Sequence, residues 1–131
     1  MEFQLSLVIP CYNEAKNLDS LLDRCGMLTK TNGVEVILVD NGSTDNTRYV
    51  LETLIPKYKS IRSIRVDENQ GYGFGIIKGL QEAKGEIIGW THADLQTDPC
   101  DALVGLNIFG KFLKYYQVKL PRIIMFDDPL E

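Results

Sequence analysis

Positive charge is in short supply in this sequence. Fourteen Lys and Arg stand against 18 Asp and Glu, a formal net charge of −4. General binding to nucleic acid or to an anionic membrane needs a basic surface, so neither class fits, and no nucleic-acid partner is expected. Long apolar runs are missing too: no stretch approaches the roughly 18 apolar residues of a membrane span. The opening "MEFQLSLVIP" has no basic region ahead of an apolar one, so no secretory leader is expected. The three cysteines, Cys11, Cys25 and Cys100, are odd in number and lack metal-type spacing. They read as reduced thiols of a cytoplasmic protein, with Cys11 as a small packed residue. The dinucleotide fingerprint is absent as well. The turn after the first strand, "PCYNEA", holds no glycine, and "GYGFG" at 71–75 follows the third strand at the wrong spacing. The P-loop pattern does not occur either.

What is present is an ordinary soluble composition in 131 residues, enough for one domain with a real core. "LSLVIP" (5–10) reads as a buried strand. Leu18, Leu21, Leu22 and Cys25 then recur at i, i+3, i+4, i+7, predicting a helix with one buried face. "VEVILVD" (34–40) is a second strand. "GSTDNT" opens a helix with Ser43 or Thr44 as cap and Thr47, Val50, Leu51 and Leu54 inside, ended by Pro56. "IRSIRV" (61–66) is a weaker third strand, followed by a helix with Ile76, Ile77, Leu80 and Ala83 inside. "GEIIGWT" (85–91) is the fourth strand. Asp98 and Pro99 then start a helix that carries Ala102, Leu103, Leu106 and Phe109 inward. Beyond Gly110, "KYYQVKL" and "RIIMF" read as further strands and "DDPLE" as a tail. Strands alternating with helices predict a parallel sheet covered on both faces.

In such a sheet ligands bind outside the carboxyl ends of the strands. Polar and small residues gather at all four: "PCYNE", "DNGSTD", "DENQGYG" and "THADLQTD". Asp94, just past the fourth strand, is placed either to anchor a cation and a phosphate or to make a turn. Gln96 could add its amide oxygen if Leu95 turns away in an extended segment. Asp40 ends a buried strand, where a carboxylate can accept from a base N–H or a ribose hydroxyl, or can organise the next helix. Tyr12 is a cleft wall or a core ring. His92 contributes one hydrogen bond, ligates a softer metal when neutral, or is simply buried. Asp45 reads as a helix cap.

Together these segments resemble the family-2 glycosyltransferases of GT-A fold. "VIPCYNEAKNL" resembles their opening nucleotide loop. "VDNGSTDNT" resembles V-D-D-G-S-x-D-x-T, with Asn41 for the second acid, and "NQGYGFGIIKGLQEAKGEIIGW" the N-x-G-x-x-x-A stretch, with Gly75 for alanine. "HADLQTDP" resembles D-A-D-L-Q-x-x-P of the branch with dolichyl-phosphate mannose synthases and polyprenyl-phosphate glycosyltransferases, with His92 for the first acid. The resemblance implies a Rossmann-like three-layer α/β/α fold with a mostly parallel sheet, truncated after the donor-binding half. Residues 1–110 would be the nucleotide-sugar-binding half, and 111–131 a short extension, a strand plus tail. It implies an inverting, metal-dependent transfer from a nucleoside-diphosphate sugar to a polyprenyl phosphate or other acceptor. Pro10, Tyr12, Glu14, Asp40, Asn69, Gly71, His92, Ala93 and Asp94 would bind the donor, and Asp94 with Gln96 would hold Mg²⁺ or Mn²⁺. No catalytic base is assigned. In the family an acceptor half follows the metal motif, whereas about thirty residues follow Pro99 here. The alternative is therefore a non-catalytic donor-binding module, or an incomplete unit that works as a homo-oligomer or with a partner subunit. A cytoplasmic protein, peripheral at the membrane face, is the location this implies.

Overall fold

The structure, a computed structural model, describes residues 3–96 and 98–107 and the backbone of 122–125. Its elements are β1 (Leu5–Cys11), α1 (Leu18–Thr29), β2 (Val34–Asn41), α2 (Thr47–Leu54), a 3-10 turn (Ile55–Lys57), β3 (Ile61–Val66), α3 (Tyr72–Glu82), β4 (Ile87–Trp90) and β5 (Arg122–Met125). Residues 101–107 are helical. The five strands lie in the order β3-β2-β1-β4-β5, and every neighbouring pair is parallel. β5 confirms the strand expected at "RIIMF", while "KYYQVKL", Phe109 and "DDPLE" lie outside the described residues.

The chain runs outward from β1 to β2 and β3, then returns to β4 on the other side of β1. The strand order therefore reverses between β1 and β4, which opens a crevice at their carboxyl ends. β1 and β2 are buried at every position, as central parallel strands must be. One face of β1 (Leu5, Leu7, Ile9, Cys11) packs with Leu18, Leu21, Leu22, Cys25 and Leu28 of α1, Leu51 of α2 and Ala102. On the other face Val8, Ile37 and Val39 meet Phe74 and Leu80 of α3. This is the three-layer arrangement expected.

Two helices depart from expectation in detail. α2 is not capped by Ser43 or Thr44. It begins at Thr47 with Asn46, not Asp45, at the N-cap position; Asp45 Oδ1 instead accepts from the Thr47 N–H and hydroxyl (2.9 and 2.5 Å), closing the turn that leads into the helix. Ser43 and Thr44 are used by the neighbouring loop instead. In α3, Ile77 is not inside: it is 54% exposed. The contact face is Gly75, Ile76 and Gly79. A Cβ on Gly79 would overlap Val8 Cγ1 and come within 3.0 Å of Val39 Cγ2. The helix backbone thus lies directly on the sheet, and the two glycines turn Ile77 out to solvent.

At the amino end of the sheet, Glu35 is 3% exposed. Its Oε2 accepts from Ser6 Oγ (2.6 Å) and the Lys84 N–H (2.9 Å), and Arg62 lies 3.4 Å from Oε1. The Ser6 hydroxyl in turn accepts from the Gly85 N–H at 2.7 Å. Removing the carboxylate leaves buried donors unpartnered, at about 1–3 kcal/mol each. Glu35→Ala is therefore expected to cost about 2–4 kcal/mol in urea unfolding, with ligand binding at the opposite end unchanged.

Candidate active site

The crevice at the carboxyl ends of β1 and β4 is a cleft of about 220 Å³. It is lined by Pro10, Cys11, Tyr12 and Glu14 from the β1–α1 loop and by His92, Ala93 and Asp94 after β4. Asn41 at the end of β2 and Tyr72 at the start of α3 complete it. Six of the residues picked from sequence thus meet in one place. Tyr12 is 47% exposed, so it is a cleft wall and not a core ring. Cys11 is almost fully buried. Burial, with Cys25, Glu14 and Asp40 nearby, pushes its thiol well above its ordinary value. It stays protonated, a packed residue rather than a nucleophile.

The loops are locked to each other by Asn13. Its N–H donates to Ser43 Oγ (3.0 Å), and its Oδ1 accepts from the N–H groups of Thr44 (2.8 Å) and Asp45 (3.2 Å). The Glu14 N–H donates to Thr47 Oγ1 at 3.0 Å. "YNE" and "GSTDNT" are therefore one interlocked unit. The only sequence sign of this was their joint presence.

Asp40, Asn69, Gly71 and Gln96 are not among the residues that line the cleft. Asp40 is 2% exposed. Its Oδ1 accepts from the Ser43 N–H (3.1 Å), and Oδ2 pairs with Arg65 Nη1 (2.7 Å). Arg65 lies directly across from it in the β2–β3 register. Arg65 was missed from sequence because it sits in a weak edge strand, apart from the motif loops. Asn69 Oδ1 accepts from the Gly71 N–H (2.8 Å), and the Gly71 carbonyl accepts from Asn41 Nδ2 (3.0 Å), which fixes the entry to α3.

Beyond β4 the segment is not extended. Leu95 has φ +63, and the Gln96 N–H donates to Asp94 Oδ1 (3.1 Å), so "ADLQ" is a tight turn. The side-by-side placement of Asp94 and Gln96 by strand alternation is therefore overturned. They are brought close by the turn itself. Asp98 Oδ1 accepts from the Cys100 N–H (2.9 Å) and starts the next helix as expected.

His92 is not an isolated buried histidine. Its Nδ1 lies 2.6 Å from Tyr72 Oη, and the two rings stack with planes 12° apart. Trp90 meets both edge-on, with centroids 5.6 and 5.7 Å away. Tyr72 was hidden in sequence inside the glycine-rich stretch, where only Asn69 and Gly71 were singled out.

Among the described residues no three His, Cys, Asp or Glu side chains converge on a metal position. Among the described residues the cleft lining includes two carboxylates, Glu14 and Asp94, and no Lys or Arg. Asp94 is exposed at its mouth. One hard-oxygen ligand of this kind suits a divalent ion that takes its other ligands from a bound phosphate and water.

The family model for glycosyl transferase family 2 matches residues 6–111. A curated undecaprenyl-phosphate 4-deoxy-4-formamido-L-arabinose transferase from Yersinia pestis (strain Pestoides F) is 38% identical over 101 residues. The match covers 73% of this chain and 30% of that protein. Among solved structures, the mannosyltransferase PcManGT from Pyrobaculum calidifontis, in complex with GDP-Man and Mn²⁺, superposes with a TM-score of 0.65 at 26% identity, over 72% of this chain and 28% of that one. S. aureus TarS 1–349 in complex with UDP-GlcNAc has a TM-score of 0.67 at 23% identity, over 89% of this chain and 32% of that one, a likeness of fold. The chain thus spans about 30% of the length of the curated relatives it matches. Strand order, the interlocked motif loops and the family match agree, and the chain belongs to glycosyl transferase family 2.

Proposed function

We propose that this cleft holds the nucleoside diphosphate of a sugar donor, and that the protein transfers the sugar, with inversion, to a polyprenyl phosphate or another hydroxyl acceptor. The observation that carries this reading is a cleft at the strand-order reversal whose lining, among the described residues, has two carboxylates and no Lys or Arg. A cation between these carboxylates and a diphosphate would relieve their repulsion. Asp94, with the Gln96 amide oxygen, holds Mg²⁺ or Mn²⁺, and the ion when bound neutralises charge on the departing diphosphate. Pro10, Tyr12 and Glu14 wall the base and ribose, and Asp40, backed by Arg65, accepts from the base. His92 and Ala93 line the phosphate side, and Asn69 and Gly71 shape its rim. The lipid acceptor is carried over from the undecaprenyl-phosphate transferase relative, and it implies peripheral work at a cytoplasmic membrane face. Among the described residues no helix is long and apolar enough to cross a membrane.

A donor-binding module is the second reading. What favours it is that each residue named serves the nucleotide, and none is assigned to take the acceptor's proton. Transfer would then depend on residues outside those described, or on a partner subunit.

Asp40→Asn tests the donor reading. The substitution keeps the shape and one acceptor but removes the charge. Nucleoside monophosphate affinity is expected to fall about 10–100-fold, the range for a hydrogen bond to a charged group. Calorimetry on UMP and GMP measures it. A loss confined to diphosphates would place Asp40 away from the base.

A further inference from the structure

The turn after β4 has a leucine, Leu95, where its backbone favours glycine. We infer that Leu95 is a positioning residue for Asp94: its side chain, seated in a groove against α1, holds the turn closed and so fixes the carboxylate that meets the donor's cation. This deepens the donor-site reading above and rests on it for the cation.

Four consecutive residues alternate here. Ala93 is buried and Leu95 half-buried, both packed with the core cluster of α1 and β1, while Asp94 and Gln96 face solvent. An extended segment with the same alternation would hold the Cα atoms of 94 and 96 about 6.5 Å apart. Instead φ +63 at Leu95 folds the backbone, and the Gln96 N–H reaches Asp94 Oδ1 at 3.1 Å. That conformation is disfavoured for a bulky L-residue, and one persists there only where the surrounding structure holds it. The surroundings are on α1. Leu95 shares a groove of about 400 Å³ with Ser20, Asp23 and Arg24 of that helix and with Asp98. The chain just beyond is tied to the same helical turn. Asp98 Oδ2 lies 3.7 Å from Arg24 Nη1, and the Cys100 thiol donates to the Arg24 carbonyl at 3.5 Å. Both contacts are exposed and weak by themselves, and so is the bond between Gln96 and Asp94. The apolar seat therefore carries the hold. A carboxylate already in place loses no freedom when a cation binds. One in place a tenth of the time binds with about tenfold lower apparent affinity.

Leu95→Gly separates the seat from the backbone conformation. Glycine adopts positive φ without strain, so a turn that needed only its backbone would be as good or better with glycine. The expected result is the opposite. In NMR of the nucleotide-free protein the Gln96 amide should exchange faster than in the parent. The tightening of UDP or GDP binding by Mn²⁺ should be about 3–10-fold smaller. Affinity in EDTA should stay unchanged, which a general loosening of the fold would not allow. Leu95→Met keeps an unbranched apolar side chain for the seat and should restore both the amide protection and the Mn²⁺ response. A folded Leu95→Gly protein with parental Gln96 exchange and the full Mn²⁺ response would overturn the inference. So would one whose affinity falls as far in EDTA as in Mn²⁺. Should the glycine variant not fold, Leu95→Ala takes its place with the same outcomes. The parent alone gives a further check: the close HN–Hα approach that marks positive φ must be present at Leu95 without nucleotide or metal, and its absence would overturn the inference whatever the variants do. Failure of every nucleotide to bind the parent, with or without Mn²⁺, would instead overturn the donor-site reading. The two failures are separable because the turn is read before nucleotide is added.

Discussion

Asp94→Asn is expected to abolish the metal-dependent part of nucleoside-diphosphate affinity and leave the fold intact. Asp94 is exposed at the mouth of the cleft, and the hydrogen bond it accepts in the structure comes from the Gln96 N–H at 3.1 Å. The asparagine oxygen can keep that bond, so the turn survives. What it cannot keep is the negative charge facing the cation. A hydrogen bond or contact involving a full charge contributes about 1.5–3 kcal/mol, so affinity in saturating Mn²⁺ should fall roughly 10–100-fold to the metal-free value. Calorimetric titration with UDP and GDP, with Mn²⁺ and then with EDTA, measures both numbers. Equal affinity of the two proteins in Mn²⁺ would remove Asp94 as the anchor.

Gly42→Ala should be the most destabilising single-methyl change near the site. Gly42 follows Asp40 and Asn41 with φ +71, a conformation that costs an L-residue about 1–2 kcal/mol. Its added Cβ would also overlap the backbone nitrogen of Asn69 and lie 2.8 Å from the Glu68 carbonyl carbon. Backbone cannot rotate aside as a side chain can, so overpacking adds about 1–3 kcal/mol. The sum is about 2–5 kcal/mol. Relief comes only by moving the 68–71 segment, whose Gly71 carbonyl is held by Asn41 at the cleft. Donor affinity should therefore fall together with stability. Gly73→Ala is the control: a Cβ there meets nothing within 4 Å, and its helical position should gain about 0.5–1 kcal/mol. Urea unfolding of the two variants gives the contrast, and a Gly42→Ala protein as stable as the parent would contradict it.

The strand and helix pattern was legible because each central strand is a predominantly apolar run and each helix repeats its buried residues every three or four positions. The cleft was legible because parallel strands place all their carboxyl ends on one rim, and the residues there are polar where the strands are not. What escaped depends on side chains meeting across distance. Arg65 reaches Asp40 from the neighbouring strand, Tyr72 reaches His92 over twenty positions, and Asn13 clamps the β2–α2 loop. No periodicity announces such pairs. Ile77 was misplaced for a related reason. Hydrophobic periodicity assumes that large residues make the contact, whereas α3 lies on the sheet through Gly75 and Gly79. The turn at Leu95 was read as extended because a residue with positive φ that is not glycine, asparagine or aspartate leaves no compositional trace.

The central claim is that the carboxyl ends of β1 and β4 bind a sugar nucleotide through a divalent ion. Calorimetric titration of this chain with a panel of UDP- and GDP-sugars, each with Mn²⁺ and with EDTA, tests it most directly. The expected result is saturable one-to-one binding of at least one donor, about tenfold or more tighter with Mn²⁺ than with EDTA, and lost when Tyr12 is replaced by alanine. A folded protein that takes up none of the panel in Mn²⁺, or binds every donor equally well with and without it, would contradict the claim.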